Sequence, residues 1–195
     1  MTETHTDRLR LSPVDLDLAI MDDVYEFYLS PQAWSHLPQA RPSDLESVRG
    51  YFSAHARSWM DHGLGWWVVR LRRELAGLAA ETMVGVGGCA ATRPQLPAWN
   101  LGYGLRPEVR GHGLATELAL AGLTAAGRVD PTRPVTGRVL ESNQASWRVM
   151  DKIGLTLVWQ GDSPVQNGST AGPPRRVYAD RPLDQSLLDQ LVALG

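Results

Sequence analysis

The stretch RPEVRGHGLATELALAGL, Arg106 to Leu123, sets an arginine and two glycines, one residue apart, in front of an amphipathic run. A helix that starts on such a turn offers unpaired backbone N–H groups and the positive end of its dipole, and glycine lets an anion approach the backbone closely. Arg110, Gly111, His112, Gly113, Leu114, Ala115 and Thr116 are therefore candidate anion-binding residues, with the Thr116 hydroxyl as an added donor in the first turn. A phosphate-bearing cofactor is the natural ligand. A P-loop would end in Gly-Lys-Ser/Thr, whereas Leu114 follows Gly113 here. A dinucleotide turn would want a third glycine where Thr116 stands, and an acid at the end of the next strand, whereas Asp130 falls in the loop before that strand. A plain strand-to-helix turn with no ligand stays open at this point.

The other reactive side chains carry less. Cys89 is the sole cysteine, which rules out an intramolecular disulfide, and with no histidine near it in sequence it reads as a small buried residue rather than a nucleophile. His5, His36, His55 and His62 lack metal-ligand spacing, so no metal is expected. His112, between the glycines, is expected to offer its backbone N–H and keep its imidazole in solvent. Glu108 and Glu117 flank the turn, and both are expected to face solvent, because a carboxylate aimed at a bound phosphate would repel it.

These residues need elements to position them. The chain has 195 residues, 43% of them apolar, enough for one domain with a substantial core over 1–195. Its net charge of −2 argues against a nucleic-acid partner. No apolar run reaches membrane-spanning length, and MTETHTDRLR lacks a signal-peptide core, so a soluble cytoplasmic protein is expected. RLRLSPV reads as a strand and DLDLAIMDDVYEFYL as a helix. A second helix over SDLESVRGYFSAHARSWM has Ser43 as its expected N-cap and Glu46 at capping-box spacing, and ends at Gly63 and Gly65. WWVVRLR, TMVGVGGCAAT and AWNLGYGLRP then read as an antiparallel meander. The helix after the glycine turn is expected to bury Leu114, Leu118, Ala121 and Ala125. VTGRVL follows as a strand parallel to the one before that helix. A helix from Asn143 to about Ile153, a hairpin of LTLVWQ with RRVYAD, and a short helix over DQSLLDQLVAL complete a mixed α/β (α+β) chain.

The spacing Arg110-x-x-Gly113-x-Ala115 behind a strand ending Tyr103-Gly104-Leu105 resembles the acetyl-coenzyme A motif of the GCN5-related N-acetyltransferase (GNAT) superfamily. The block NQASWRVMDKIGL, Asn143 to Leu155, is similar to its RimJ/RimL-like branch, as are TDRLRLSPV and the Trp66-Trp67 strand. The likeness runs from Thr6 to about Pro182. It implies a GNAT-type fold: a central, mixed, mostly antiparallel sheet of six to seven strands with a splayed parallel pair, flanked by helices. It implies acetyl-CoA as acyl donor, a primary-amine acceptor (an N-terminal α-amine or a small molecule) and, since dimers are common in the family, a homodimer as one expected assembly.

The resemblance also assigns residues. Leu105 and Val109 are expected to pair with the pantetheine through the main chain, Arg110 to Thr116 to wrap the pyrophosphate, and a backbone N–H near Leu105 to meet the oxyanion. Asn143, Ser146 and Arg148 are further expected cofactor contacts. Acetyl transfer needs a deprotonated amine, a stabilised oxyanion and a proton for the departing thiolate. Many relatives supply that proton from a tyrosine seven residues after the asparagine; Met150 stands there, which leaves Ser146 as the candidate acid. Asn143 belongs to the same catalytic group. Glu141, at the end of the strand flanking the gap, is the candidate base, with a loop charge or salt bridge as its alternative. The segment between the first two helices, containing Trp34 and His36, is expected to wall the acceptor pocket. A non-catalytic acyl-CoA sensor is the competing reading.

Overall fold

Eight strands make one sheet in the computed structural model, which describes residues 3–15, 18–34, 38, 41–91, 93, 95–163 and 172–194. The strands are β1 (Thr4–His5), β2 (Leu9–Pro13), β3 (Trp67–Leu71), β4 (Met83–Ala90), β5 (Trp99–Leu105), β6 (Val135–Leu140), β7 (Thr156–Ser163) and β8 (Gly172–Ala179). Their spatial order is β1-β2-β3-β4-β5-β6-β8-β7, and only β5 and β6 are parallel. The sheet is mixed and mostly antiparallel, as the sequence implies, with one strand beyond the expected six to seven. The extra strand is β1, whose two-residue pairing with Leu11 and Arg10 is too short to leave a periodic signature.

Helices α3 (Leu114–Val129) and α4 (Gln144–Lys152) cover one face of the sheet, and α1 (Leu18–Leu29), α2 (Leu45–His62) and α5 (Gln185–Ala193) the other. Strand β4 lies between these layers with every residue buried, which is why MVGVGGCA is apolar throughout instead of alternating. Trp59, Trp66 and Trp67 are core residues.

Two local expectations are corrected. The N-cap of α2 is Asp44, not Ser43: Asp44 is extended and its Oδ1 accepts from Ser47 N at 2.8 Å, while Ser43 Oγ donates to Asp44 Oδ2. A carboxylate also suits the positive end of the helix. That helix ends at Gly63, whose N–H reaches the Trp59 carbonyl, and Gly65 lies beyond it. The buried stripe of α3 is Leu114, Leu118, Ala119, Gly122 and Ala126; Ala121 and Ala125 are only half-buried on its flank. The helix is rotated so that Gly122 faces β4, where a Cβ would come within 3.3 Å of Cys89 Sγ. That close approach seals Cys89, and burial, with a smaller push from Asp180, drives its thiol pKa far up. The hairpin strands β7 and β8 each run beyond the expected LTLVWQ and RRVYAD; the intervening residues 164–171 lie outside the described ones.

Candidate active site

The parallel pair β5/β6 is joined only at one end. Trp99 pairs with Val135 and Asn100 with Thr136, Trp99 N donates to the Pro134 carbonyl, and Thr136 Oγ1 donates to the Trp99 carbonyl. Beyond that point β5 continues to Leu105 and β6 to Leu140 without pairing to each other, each held on its outer edge by β4 or β8. The two strands thus fork. Arg106 N donates to the Val84 carbonyl on β4, so the alternation of a strand turns the amides of Leu101, Tyr103 and Leu105 toward the fork. Leu105, named for main-chain contact, is among them. Val109 sits in a 3-10 turn (Pro107–Val109) with its side chain buried and its N–H given to the Arg106 carbonyl, so its carbonyl is the main-chain atom left for a ligand.

The glycine turn lies where β5 ends. Gly111 and Gly113 have φ of 82° and 78°, the left-handed region that a side chain resists, and a Cβ on Gly111 would meet nothing within 4 Å. Conformation, then, is what requires glycine here. Gly113 is the N-cap of α3 and supplies no side-chain acceptor, whereas Asp44, Asn143 and Asp184 cap α2, α4 and α5 through their side chains. The first intrahelical bond at this end runs from Glu117 N to the Gly113 carbonyl, so the N–H groups of Leu114, Ala115 and Thr116 precede it. Leu114, fully buried, anchors the turn to the core. His112 is exposed. Arg110 donates from its guanidinium to the Gln32 carbonyl at 3.1 Å, tying the turn to the 3-10 segment Pro31–Trp34.

Glu117 does not face solvent, which corrects the expectation made for it, while Glu108 is exposed. The Glu117 carboxylate accepts from Thr6 Oγ1 at 2.5 Å, from Arg8 N at 2.8 Å and from Arg8 Nε at 2.7 Å. Burial raises its pKa, but these donors and the Arg8 charge outweigh that and leave it below the ordinary carboxylate value. Arg8 also donates to the His112 carbonyl at 2.7 Å. Glu117 and Arg8 together fasten the edge strands to the back of the turn, with the acid paired rather than aimed at the ligand side.

On the far side of the fork, Asn143 caps α4 by accepting from Ser146 N at 3.2 Å. Tyr103, on β5, reaches toward this helix turn and donates from its hydroxyl to the Ser146 carbonyl at 3.4 Å. Burial pushes the Tyr103 phenol up to about 12, partly opposed by a hydrogen bond with the Ser146 side chain, so the phenol keeps its proton at neutral pH. Sequence reading passed over Tyr103; its signal was a hydroxyl at the splayed end of the strand before the glycine turn. Met150 is buried against Gly137. Glu141 turns toward β7 and β8, accepting from Gln160 Nε2 at 2.6 Å and from Arg176 at 3.4 Å. Arg148 is exposed, bonded to Gln144 Oε1 and lying over the Trp147 ring.

On the α1/α2/α5 face a pocket of about 380 Å³ opens at the paired end of the fork. Its lining includes Asn100 and Thr136 at the paired end, Tyr51 and His55 from α2, and Arg93 and Arg138. The His55 ring stacks on Trp66 at 4.0 Å, and burial holds the imidazole down at about 3, hence neutral. Trp34 packs against Tyr28 beside this layer, and His36 lies outside the described residues.

The family model of the acetyltransferase (GNAT) domain matches residues 8–156, well over half of the chain. No curated protein matches the sequence. Among solved structures, the fold is similar to an acetyltransferase from Agrobacterium tumefaciens, at 24% identity and a TM-score of 0.69 over 93% of this chain and 95% of that one. It is also similar to RimL, a ribosomal L7/L12 α-N-protein acetyltransferase solved in complex with coenzyme A, at 21% identity and a TM-score of 0.68 over 89% and 94% of the two chains. A ribosomal-protein-S5-alanine acetyltransferase from Vibrio fischeri shares 15% identity and a TM-score of 0.65 over 92% and 96%. With its forked parallel strands and its uncapped helix behind a double-glycine turn, the chain belongs to the GNAT acetyltransferase family.

Proposed function

We propose that the chain is a single N-acetyltransferase domain of RimJ/RimL-like type, transferring an acetyl group directly from acetyl-CoA to a primary amine. The observation that carries this reading is the uncapped N-terminus of α3 beside the unpaired edges of β5 and β6. Both features leave backbone donors open to a ligand, one suited to a phosphate and the other to an extended arm. The acetyl-CoA thioester supplies an activated acetyl group when bound. The amides of Gly111 to Thr116 hold the pyrophosphate, with Arg110 beside them, and Leu105 and the Val109 carbonyl bind the arm through the main chain. The amide of Leu105 is the donor for negative charge that develops on the acetyl oxygen. Asn143 orders the first turn of α4, which brings Ser146 to the Tyr103 hydroxyl. Either hydroxyl can give the departing thiolate its proton, with Tyr103 standing in for a donor at Met150. An acceptor with the pKa of an α-amine, about 7.7 to 8.0, is already partly neutral at pH 7 and loses its proton to water. Glu141 assists as base only if it leaves Arg176 and Gln160.

The reading is tested with purified protein, by calorimetry with acetyl-CoA and by thiol release over a panel of peptide N-termini and small amines. Binding together with amine-dependent thiol release is expected. Absence of acetyl-CoA binding would sink the reading, and binding with no release from any amine would favour the non-catalytic sensor.

A further inference from the structure

The acceptor-side pocket has a charge that amine chemistry by itself does not call for. Of its described lining residues, Arg93 and Arg138 are positive and none is acidic, while the protein as a whole carries a net charge of −2. Arg138 projects from β6 on the same face as Thr136, two residues further toward the fork's open end. Arg175 occupies that face too, two residues along β8 from Val177, the register partner of Arg138. Burial, then Arg175 and Arg93, lower the Arg138 pKa to about 10, as expected where like charges gather in a partly desolvated place. A neutral His55 adds no charge to this lining. An amine seated at Asn100 and Thr136, at the paired end of the fork, would share this pocket with Arg93 and Arg138.

Resting on the acetyltransferase reading above, we propose that the acceptor is an amine that also bears an anionic group, a carboxylate or a phosphate, which Arg138 and Arg93 bind in this pocket. Guanidinium groups suit both anions, since each presents paired oxygens to a planar fork of donors. The pocket lies on the face opposite α3, so its arginines are separate from the turn that receives the cofactor.

The test compares each anionic amine with its neutral twin: 4-aminobutanoate against 4-aminobutanamide, and O-phosphoethanolamine against ethanolamine. Both kcat/KM and calorimetric affinity for the coenzyme A-loaded protein are measured. At least one anionic member should exceed its twin by about tenfold or more, as a charge-assisted pair implies. The member that does so names the anion. Arg93→Gln and Arg138→Gln should each shrink that ratio toward one while acetyl-CoA affinity holds. Arg93 is exposed, so its variant serves even if the half-buried Arg138 is needed for folding. Neutral twins that bind and react as well as the anionic members would overturn the proposal, as would variants that lower both members of a pair alike. Failure to bind acetyl-CoA at all would instead overturn the acetyltransferase reading beneath it.

Discussion

Two helices begin at the fork, and their N-termini are finished in opposite ways. Helix α4 is closed by its own chain, with Asn143 accepting from Ser146 N, and the order this imposes holds Ser146 against Tyr103. Helix α3 begins on Gly113, which has no side chain to give, after a turn whose two glycines occupy left-handed backbone. A helix start with glycine at its N-cap leaves donors unsatisfied and gives up roughly a few tenths of a kcal/mol that a side-chain cap would contribute. On the proposed reading the two ends divide the work: the open end would take a ligand anion, and the closed end would position hydroxyl groups. Glu117 fits this division, because its charge is absorbed by Arg8 and Thr6 behind the open end.

The largest effect should come from the closed side. The double variant Ser146→Ala with Tyr103→Phe should lose about a hundredfold in kcat, the lower range for a positioned acid, with acetyl-CoA affinity retained. Full turnover in the double variant would remove both hydroxyls from the mechanism. Next, Gly113→Asp should weaken acetyl-CoA binding by about thirtyfold, through like-charge repulsion at the open end. The left-handed φ of 78° strains any side chain there, but the substituted Cβ meets nothing nearer than the Arg8 guanidinium at 3.6 Å, and circular dichroism is the control for folding. Unchanged affinity in that folded variant would erase the distinction between the two helix starts. Asn143→Ala should lower stability by about 1 kcal/mol in urea unfolding, the worth of a cap, whereas a neutral result would make α4 as open as α3. The smallest effect concerns Glu117, whose folded pKa is depressed, so its contribution is complete above the unfolded carboxylate value of about 4.3 and fades as pH falls through the folded one. The gap in Tm between wild type and Glu117→Gln should therefore be steady from neutral pH down to about 5 and close in stronger acid. A gap that persists in acid would mean that Glu117 acts through packing and not through charge.

Much of this was legible in the residues. The glycine turn, the helix behind it and the parallel strand that follows are local patterns, and each kept its place. The helix start at Asn143 was equally local. What escaped depends on neighbours distant in sequence. The burial of Glu117 is set by Thr6 and Arg8, more than a hundred positions away. The rotation of α3 is set by the fit of Gly122 to Cys89, which a count of apolar spacings does not contain. Tyr103 gained its place only when the fork brought β5 opposite α4. The pocket joins a loop arginine, Arg93, to a strand arginine, Arg138, and has no linear motif.

The central claim is that the open end of α3 is completed by the phosphates of the cofactor. It is tested most directly by hydrogen exchange at the amides of Gly111 to Thr116, with Ser146 as internal reference, before and after addition of coenzyme A. Fast exchange is expected at the turn without cofactor and strong protection with it, while Ser146, already bonded to Asn143, should change little. Coenzyme A that binds yet leaves Gly111 to Thr116 exchanging as before would contradict it.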